Sequence, residues 1–183
     1  MITRAQAREA RRQAGEFLQR AGVVARPDEL DRIEVVDLGL GELEETGLQI
    51  LTLVDTGNIG VKVLVLFPNQ IFAQHRHPPL GDYRGKEETF RCQWGEAYLY
   101  TPGEATPNPR ARPPAHRAHT YTVWHETILT PGEQRTCAPG TFHWFQAGPG
   151  GAVVWSYSSR ATDIEDVFTD PDVRRVTRIV DQS

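Results

Sequence analysis

The sequence predicts an all-β fold, a barrel preceded by a helical segment at the N-terminus. Thirteen prolines and sixteen glycines are spread between short apolar runs, which is typical of a chain with many turns between strands. The length of 183 residues suits one domain with a sizeable core. Within that single domain we expect residues 1–35 to form the helical extension, 45–160 the barrel, and 161–183 a C-terminal tail that covers the functional site.

Residues 3–21 are predicted to form a helix. Thr3 can act as the N-cap, alanine-rich sequence follows it, and Gly22 supplies the stop. Apolar residues recur at steps of three and four, which predicts one face packed against a sheet; they are Ala7, Ala10, Ala14, Phe17 and Leu18.

An acidic connector over residues 24–48, with a helical turn near 28–33, is expected to lead into the strands. Apolar and β-branched runs between turn-forming residues predict strands at 48–54, 61–67, 71–77, 89–100, 121–129, 142–145 and 152–158. We expect 89–100 to be a strand pair bent near Gly95. Five prolines in residues 101–119 predict a long irregular insertion.

Composition argues against several classes of protein. The formal net charge of −4 gives no electrostatic footprint for nucleic acid. No apolar run approaches the ~20 residues that span a bilayer, and the arginine-rich N-terminus lacks the apolar stretch of a signal peptide. Cys92 and Cys137 lack C-x-x-C spacing, which fits reduced thiols in a cytoplasmic protein.

Two short clusters predict one metal site inside the barrel. His75 and His77 are separated by one residue, so on a strand both imidazoles face the same side. Glu88 follows within the next loop, and His143 ends the separate run 139–143, Pro-Gly-Thr-Phe-His. A carboxylate and a third imidazole would complete three or four positions around a divalent ion. The predicted ligands are therefore His75, His77, Glu88 and His143.

The remaining histidines, His116, His119 and His125, are expected to lie outside the site, because each is isolated from the paired pattern. The predicted donors are nitrogen and oxygen without thiolate. This set fits manganese, iron, cobalt, nickel or zinc, and the residues alone do not choose among them.

Both metal patterns resemble cupin motifs. Glu88 followed by six residues and Gly95 is similar to the second half of the first motif, and the run 139–143 is similar to the core of the second. The loop between His77 and Glu88 is longer than in most cupins, which leaves Glu87 as an alternative ligand. The Glu-x6-Gly spacing favours Glu88.

The whole chain resembles the D-lyxose ketol-isomerase family of cupin sugar isomerases. The resemblance rests on the N-terminal helix, on Lys86-x-Glu88, and on the tail run 165–171, Glu-Asp-x-Phe-x-Asp-Pro, with Arg175 beyond it. It implies a cupin (jelly-roll) barrel and one manganese ion per subunit. It also implies interconversion of D-lyxose and D-xylulose, with D-mannose and D-fructose as a further pair because D-lyxose and D-mannose share their configuration at C2 and C3.

Such a reaction moves hydrogen between C1 and C2, which needs a metal to stabilise an enediolate and a base to carry the proton. The resemblance implies Glu165 as the catalytic base, with Asp166 and then Asp163 as alternatives. Lys86 is expected to bind a substrate oxygen and stabilise its developing charge. Asp166 and Arg175 complete the predicted substrate contacts, with an ion pair to the acidic tail as the alternative role for Arg175.

Two other functions remain compatible with the same ligands. One is a non-haem iron cupin dioxygenase, and the other is a non-catalytic cupin that binds a sugar. A phosphosugar isomerase is disfavoured, since no Gly-rich phosphate cradle or local cluster of Lys and Arg is evident. Cupin barrels expose sheet edges that a second subunit commonly covers, so we expect a homodimer whose other partner is a small sugar, without nucleic acid or membrane.

Overall fold

The computed structural model describes residues 1–181; residues 182–183, the end of the predicted tail, lie outside this range. The helices and strands, in chain order, are β1 Ile2–Thr3, α1 Arg4–Arg20, α2 Pro27–Asp31, β2 Glu34–Val36, β3 Leu48–Asp55, β4 Gly60–Leu66, β5 Ile71–Arg76, β6 Glu88–Thr101, β7 His125–Leu129, β8 Gln134–Cys137, β9 His143–Ser158, β10 Val167–Phe168 and β11 Ile179–Val180. The predicted fold class, an all-β cupin (jelly-roll) barrel with an N-terminal helical segment, is confirmed.

Helix α1 begins and ends as predicted. The Thr3 side chain accepts a hydrogen bond from the Gln6 backbone N–H at 3.1 Å, and the Gln6 side chain accepts one from the Thr3 N–H at 2.8 Å. This reciprocal pair satisfies two backbone donors that the first turn would otherwise leave free. Beyond the last turn Gly22 adopts a positive φ of 70°, which ends the helix.

Strand β9 is the centre of the barrel sheet. One edge of β9 pairs with β6, and the other edge pairs first with β5 and then with β4. The sheet continues from β4 through β3 to β2, while β10 adds to β5, and β7 and β8 pair with the far edge of β6. All of these pairings are antiparallel, so the curled sheet brings the inward side chains of β3–β6 and β9 around one interior.

Two long strands differ from the prediction. Residues 89–100 are not a strand pair but part of one strand, β6, and the predicted strands 142–145 and 152–158 are joined as β9. The sequence 148–151, Gly-Pro-Gly-Gly, lies within β9 but has no partner in the described ladders: the pairing with β6 passes from Gly95↔Ala152 to Ala97↔Ala147 with a register shift. The two strands are paired on both sides of this irregularity, which is therefore an interruption within one ladder.

Five short strands, β1, β2, β8, β10 and β11, were missed and β7 was misplaced. β2 lies in an acidic stretch, and β8 is the polar run Gln-Arg-Thr-Cys, so neither has an alternating apolar pattern. The strand predicted from residue 121 starts at His125. The Gln74 side-chain oxygen instead accepts the backbone N–H groups of Thr122 and Val123, at 2.7 and 3.1 Å, and so holds this segment outside the ladder.

Apolar side chains fill the interior of the barrel and also form two clusters on its outer surface. The interior cluster contains Leu48, Ile50, Leu64, Phe72, Phe90 and Phe145. Helix α1 covers one outer face, where Phe17 and Leu18 pack against residues of β3, β4 and β9, as the predicted apolar face requires. The insertion 101–119 leads into a second outer cluster in which Tyr100 stacks on Trp144 with ring centroids 4.0 Å apart.

Among residues 1–181, no helix combines the length and apolar character that crossing a membrane would require.

We predict that Gly95→Ala destabilises the fold far more than Gly132→Ala. Both glycines have positive φ, 74° at Gly95 and 94° at Gly132. A Cβ added at Gly95 would lie 2.1 Å from the Gly151 carbonyl oxygen, whereas a Cβ added at Gly132 would have no described atom within 4 Å. Gly132→Ala should therefore lower the free energy of unfolding by about 1 kcal/mol from backbone strain alone, and Gly95→Ala by about 3 kcal/mol or more. Urea denaturation followed by circular dichroism measures both, and equal losses would contradict the close approach of β6 and β9.

Candidate metal centre and cavity

Strand pairing brings three imidazoles together. His75 is near the end of β5 and His143 begins β9, and the antiparallel register places them opposite each other. His77 follows β5 by one residue. All three are buried, and one ring nitrogen from each lies within 4.8 Å of the others. The predicted convergence of these histidines is therefore present in the fold.

Backbone carbonyls orient two of the rings. His75 Nδ1 donates to the Ala73 carbonyl oxygen at 3.0 Å, and His143 Nδ1 donates to that of Thr141 at 2.9 Å. The Nε2 atoms are left with lone pairs, and His143 Nε2 is buried without a hydrogen-bond partner among the described residues. Burial and the neighbouring imidazoles lower the pKa of His143 to about 4 and that of His75 well below its usual value. Both rings are thus neutral, as metal ligands must be.

His77 lies between two carboxylates. Its Nε2 contacts Glu88 Oε2 at 2.8 Å, and its Nδ1 contacts Asp166 Oδ1 at 2.5 Å. Burial opposes protonation of the ring, but the bonds to Asp166 and Glu88 outweigh it and raise the pKa of His77. Asp166, predicted as a substrate contact or an alternative base, therefore orients an imidazole through the nitrogen that faces away from Glu88.

Glu88 rather than Glu87 reaches the histidines. Glu88 is buried at the start of β6, while Glu87 is exposed on the opposite side of the chain. Glu88 Oε1 accepts a hydrogen bond from Ser156 on β9, and Oε2 pairs with Lys86 Nζ at 2.9 Å. Burial alone would raise its pKa, but Lys86 and His77 hold the pKa of Glu88 well below its usual value. The carboxylate is ionised.

Both lysines of the chain meet at one tail carboxylate. Lys86 Nζ pairs with Asp163 Oδ1 at 2.8 Å, and Lys62 Nζ pairs with Asp163 Oδ2. The two lysines are 3% and 7% exposed, an unusual degree of burial for this residue type. Burial, followed by the charge of Lys86, lowers the pKa of Lys62 to about 8, so its amine still carries a proton at pH 7.

The other tail residues take different positions. Glu165, the predicted base, is exposed and does not line the cavity beside the histidines, whereas Asp163 and Asp166 do. Arg175 pairs with Glu34 of β2 at 2.6 Å and approaches the tail residue Asp163 at 3.9 Å. Phe168 on β10 packs against His75 with ring centroids 5.4 Å apart, which closes that side of the site.

The cavity next to the imidazoles is small and has a mixed lining. Its volume is about 30 Å³, enough for only a water or two. The polar lining consists of His75, Lys62, Lys86, Glu88, Asp163, Asp166 and Arg175, and the apolar lining of Leu48, Ile50, Leu64, Phe72, Phe90 and Phe145. His116 and His125 are exposed and bonded elsewhere, to Glu42 and the Glu104 carbonyl, and His119 is exposed outside the cavity.

Lys62 and Ser156 also belong to the site, although neither lies in one of the predicted motifs. The one available signal for Lys62 was the rarity of lysine in an arginine-rich chain, since Lys62 and Lys86 are its only two. Ser156 carried no signal, because a single serine in an apolar strand reads as an ordinary strand residue.

The donor set fits a divalent metal. Three buried imidazoles, one of them with an orphaned nitrogen, and one ionised carboxylate supply the nitrogen and oxygen ligands that such ions take in proteins. A further carboxylate, Asp166, orients one imidazole from behind, as is usual for metal-binding histidines.

Curated relatives match the chain over nearly its full length. A D-lyxose ketol-isomerase from Thermofilum sp. (strain ex4484_79) is 52% identical over 180 residues, which cover 98% of this chain and 100% of that protein. A D-lyxose/D-mannose isomerase from Thermosediminibacter oceani is 49% identical over 181 residues, covering 99% and 100% of the two chains. No protein-family model matches the sequence.

Among solved structures, an L-ribose isomerase of Acinetobacter sp. DL28 superposes with a TM-score of 0.83 at 14% identity, over 98% of each chain. At this identity the likeness concerns the fold alone, and it extends to the N-terminal helix and the tail as well as the barrel.

We predict that Asp166→Asn destabilises the metal-free protein more at pH 6 than at pH 9. Because the pKa of His77 is raised in the folded state, the stability it contributes is complete below its unfolded pKa and is lost as pH rises through the folded value. The loss at pH 6 should be about 1–3 kcal/mol. Urea denaturation in EDTA at both pH values measures it.

Asp172→Asn is the matched control, since Asp172 is exposed and lies in the same tail. The control should change stability little at either pH. A loss for Asp166→Asn that is equal at pH 6 and pH 9 would contradict the ion pair.

Proposed function

Because the chain belongs to the D-lyxose ketol-isomerase family, we propose that it is a metal-dependent isomerase that interconverts D-lyxose and D-xylulose, and also D-mannose and D-fructose. The observation that carries the proposal is the group of three buried imidazoles beside Glu88 at the wall of an interior cavity. His75, His77, Glu88 and His143 would hold the ion. When bound, a divalent metal would supply Lewis-acid polarisation of the sugar oxygens at C1 and C2.

Lys86 is proposed to stabilise negative charge that develops on a substrate oxygen. Its ammonium lies between Glu88 and Asp163 and is 3% exposed, so water screens it little. A preorganised cation of this kind favours an enediolate over the neutral sugar. The neighbouring apolar wall, which includes Phe90 and Phe145, excludes solvent from the same space.

We propose Asp163, rather than Glu165, as the base that moves the proton between C1 and C2. Asp163 lines the cavity, and unlike Asp166 it does not hold an imidazole. Glu165 lies two residues further along the same turn, with its side chain in solvent. A general base must come within hydrogen-bonding reach of the proton it takes, and this favours Asp163.

The proposal also covers the identity of the ion, the position of the tail, the oligomeric state and the cellular location. We propose manganese as the ion, residues 161–183 as the tail that covers the site, and a homodimer that covers sheet edges of the barrel. Cys92 and Cys137 are free and buried, which supports a reducing, cytoplasmic location. Light scattering on the purified protein tests the dimer.

Two alternative functions give different results in one assay. A non-haem iron dioxygenase would consume oxygen in the presence of iron, and a sugar-binding cupin would bind sugar without converting it. Anaerobic conversion of D-lyxose to D-xylulose by manganese-loaded protein excludes both.

We predict that His143→Ala weakens Mn²⁺ binding at least 100-fold and abolishes isomerisation, because it removes one of the proposed ligands. The exposed His119→Ala is the control and should retain full binding and turnover. Calorimetric Mn²⁺ titration of the EDTA-stripped proteins measures affinity, and a coupled ketose assay measures turnover. Unchanged Mn²⁺ affinity in His143→Ala would remove the proposed ligand set.

We also predict that Asp163→Asn lowers kcat for D-lyxose by at least 100-fold while Glu165→Gln stays within about twofold, since only Asp163 lines the cavity. Mn²⁺ affinity serves as the check that each variant is folded. The reverse order of the two variants would return the base to Glu165.

A further inference from the structure

Lys62 is a buried cation in the cavity wall to which the proposed chemistry gives no part. It lies on β4 two residues before Leu64, and both side chains line the cavity, as the period of a strand requires. Leu48 and Ile50 of the neighbouring strand β3 line the same wall. An ammonium group in such apolar surroundings is costly to bury unless it is paired.

The pairing of Lys62 is incomplete. Among the described residues its ion-pair partner is Asp163, which also pairs with Lys86. A lysine ammonium has three N–H donors, so a single carboxylate oxygen leaves donor capacity unused. Lys62 thus has N–H donors left with which to bind a ligand.

The space that a sugar needs is occupied by these ion pairs. A cavity of about 30 Å³ has room for a water or two, whereas a pentose has ten non-hydrogen atoms. Asp163 and Arg175 line both this cavity and a groove on the surface, so they form the wall between the buried site and solvent. A sugar entering the cavity must therefore displace contacts around Asp163, and its hydroxyl groups would take their place.

We propose that Lys62 is a substrate-binding residue, which donates a hydrogen bond to a hydroxyl on the sugar carbons beyond C2. The inference rests on the proposed function. Among residues 1–181, no ion pair joins Lys62 directly to Glu88 or to a histidine; Asp163 and Lys86 link Lys62 to Glu88. A sugar held at C1 and C2 beside the imidazoles would place its remaining carbons in the cavity. On the wall formed by Leu48, Ile50, Lys62 and Leu64, the Lys62 ammonium is the polar group that can donate to a hydroxyl.

The test compares Lys62→Met, Lys62→Gln and the control Arg174→Met with the wild type. Methionine keeps the length of the side chain without its charge, and Asp163 would retain Lys86 as a partner. Arg174 carries the same charge on the exposed tail outside the cavity. Calorimetry with D-arabinitol, the polyol obtained by reducing D-lyxose, measures binding in a ligand that cannot isomerise. The KM and kcat for D-lyxose and the affinity for Mn²⁺ are measured alongside.

We expect Lys62→Met to weaken D-arabinitol binding and raise the KM for D-lyxose at least tenfold, with unchanged Mn²⁺ affinity. Lys62→Gln, which keeps an N–H donor, should recover part of the loss, and Arg174→Met should match the wild type. Wild-type polyol affinity and KM in Lys62→Met would overturn the role of Lys62; if that variant does not fold, the same result in Lys62→Gln would do so. A wild-type protein that converts no aldose would instead refute the proposed function.

Discussion

The site depends on one strand pairing, the antiparallel contact of β5 with β9. Its register places His75 opposite His143, and the segment that continues from β5 carries His77 to the same point. Because side chains alternate along a strand, a shift of one residue would turn one of these imidazoles away from the others. Strand β6 pairs with the other edge of β9, and Glu88 at its start contacts His77.

Charge is arranged around these side chains in a continuous series. Asp166 holds His77, His77 contacts Glu88, Glu88 pairs with Lys86, and Asp163 joins Lys86 to Lys62. Each buried charge therefore has an opposite partner, which is the condition for leaving ionised groups in an apolar interior. The tail supplies two of the carboxylates, so the barrel alone does not complete the site.

The sequence contained the barrel, the helix and the convergence of His75, His77, Glu88 and His143, because each rests on local spacing: caps, periodicity and a His-x-His on a strand. The orientation of the carboxylate side chains in the tail could not be predicted from the sequence. Glu165, Asp166 and Asp163 lie on one short turn, and only tertiary packing determines that the first faces solvent. The role of Ser156 was equally invisible, since its contact with Glu88 joins residues 68 positions apart. Long strands were divided where glycines suggested turns, although β9 pairs with β6 on both sides of residues 148–151 and is one strand.

The burial of both lysines has a practical consequence. The chain has no other lysine, and these two are 3% and 7% exposed. The outside of the protein thus offers amine-directed reagents essentially no lysine, and attachment to aldehyde- or ester-activated supports would be confined almost entirely to the terminal amine. Labelling of a lysine side chain, detected by peptide mass mapping, would then report how often the interior opens to solvent.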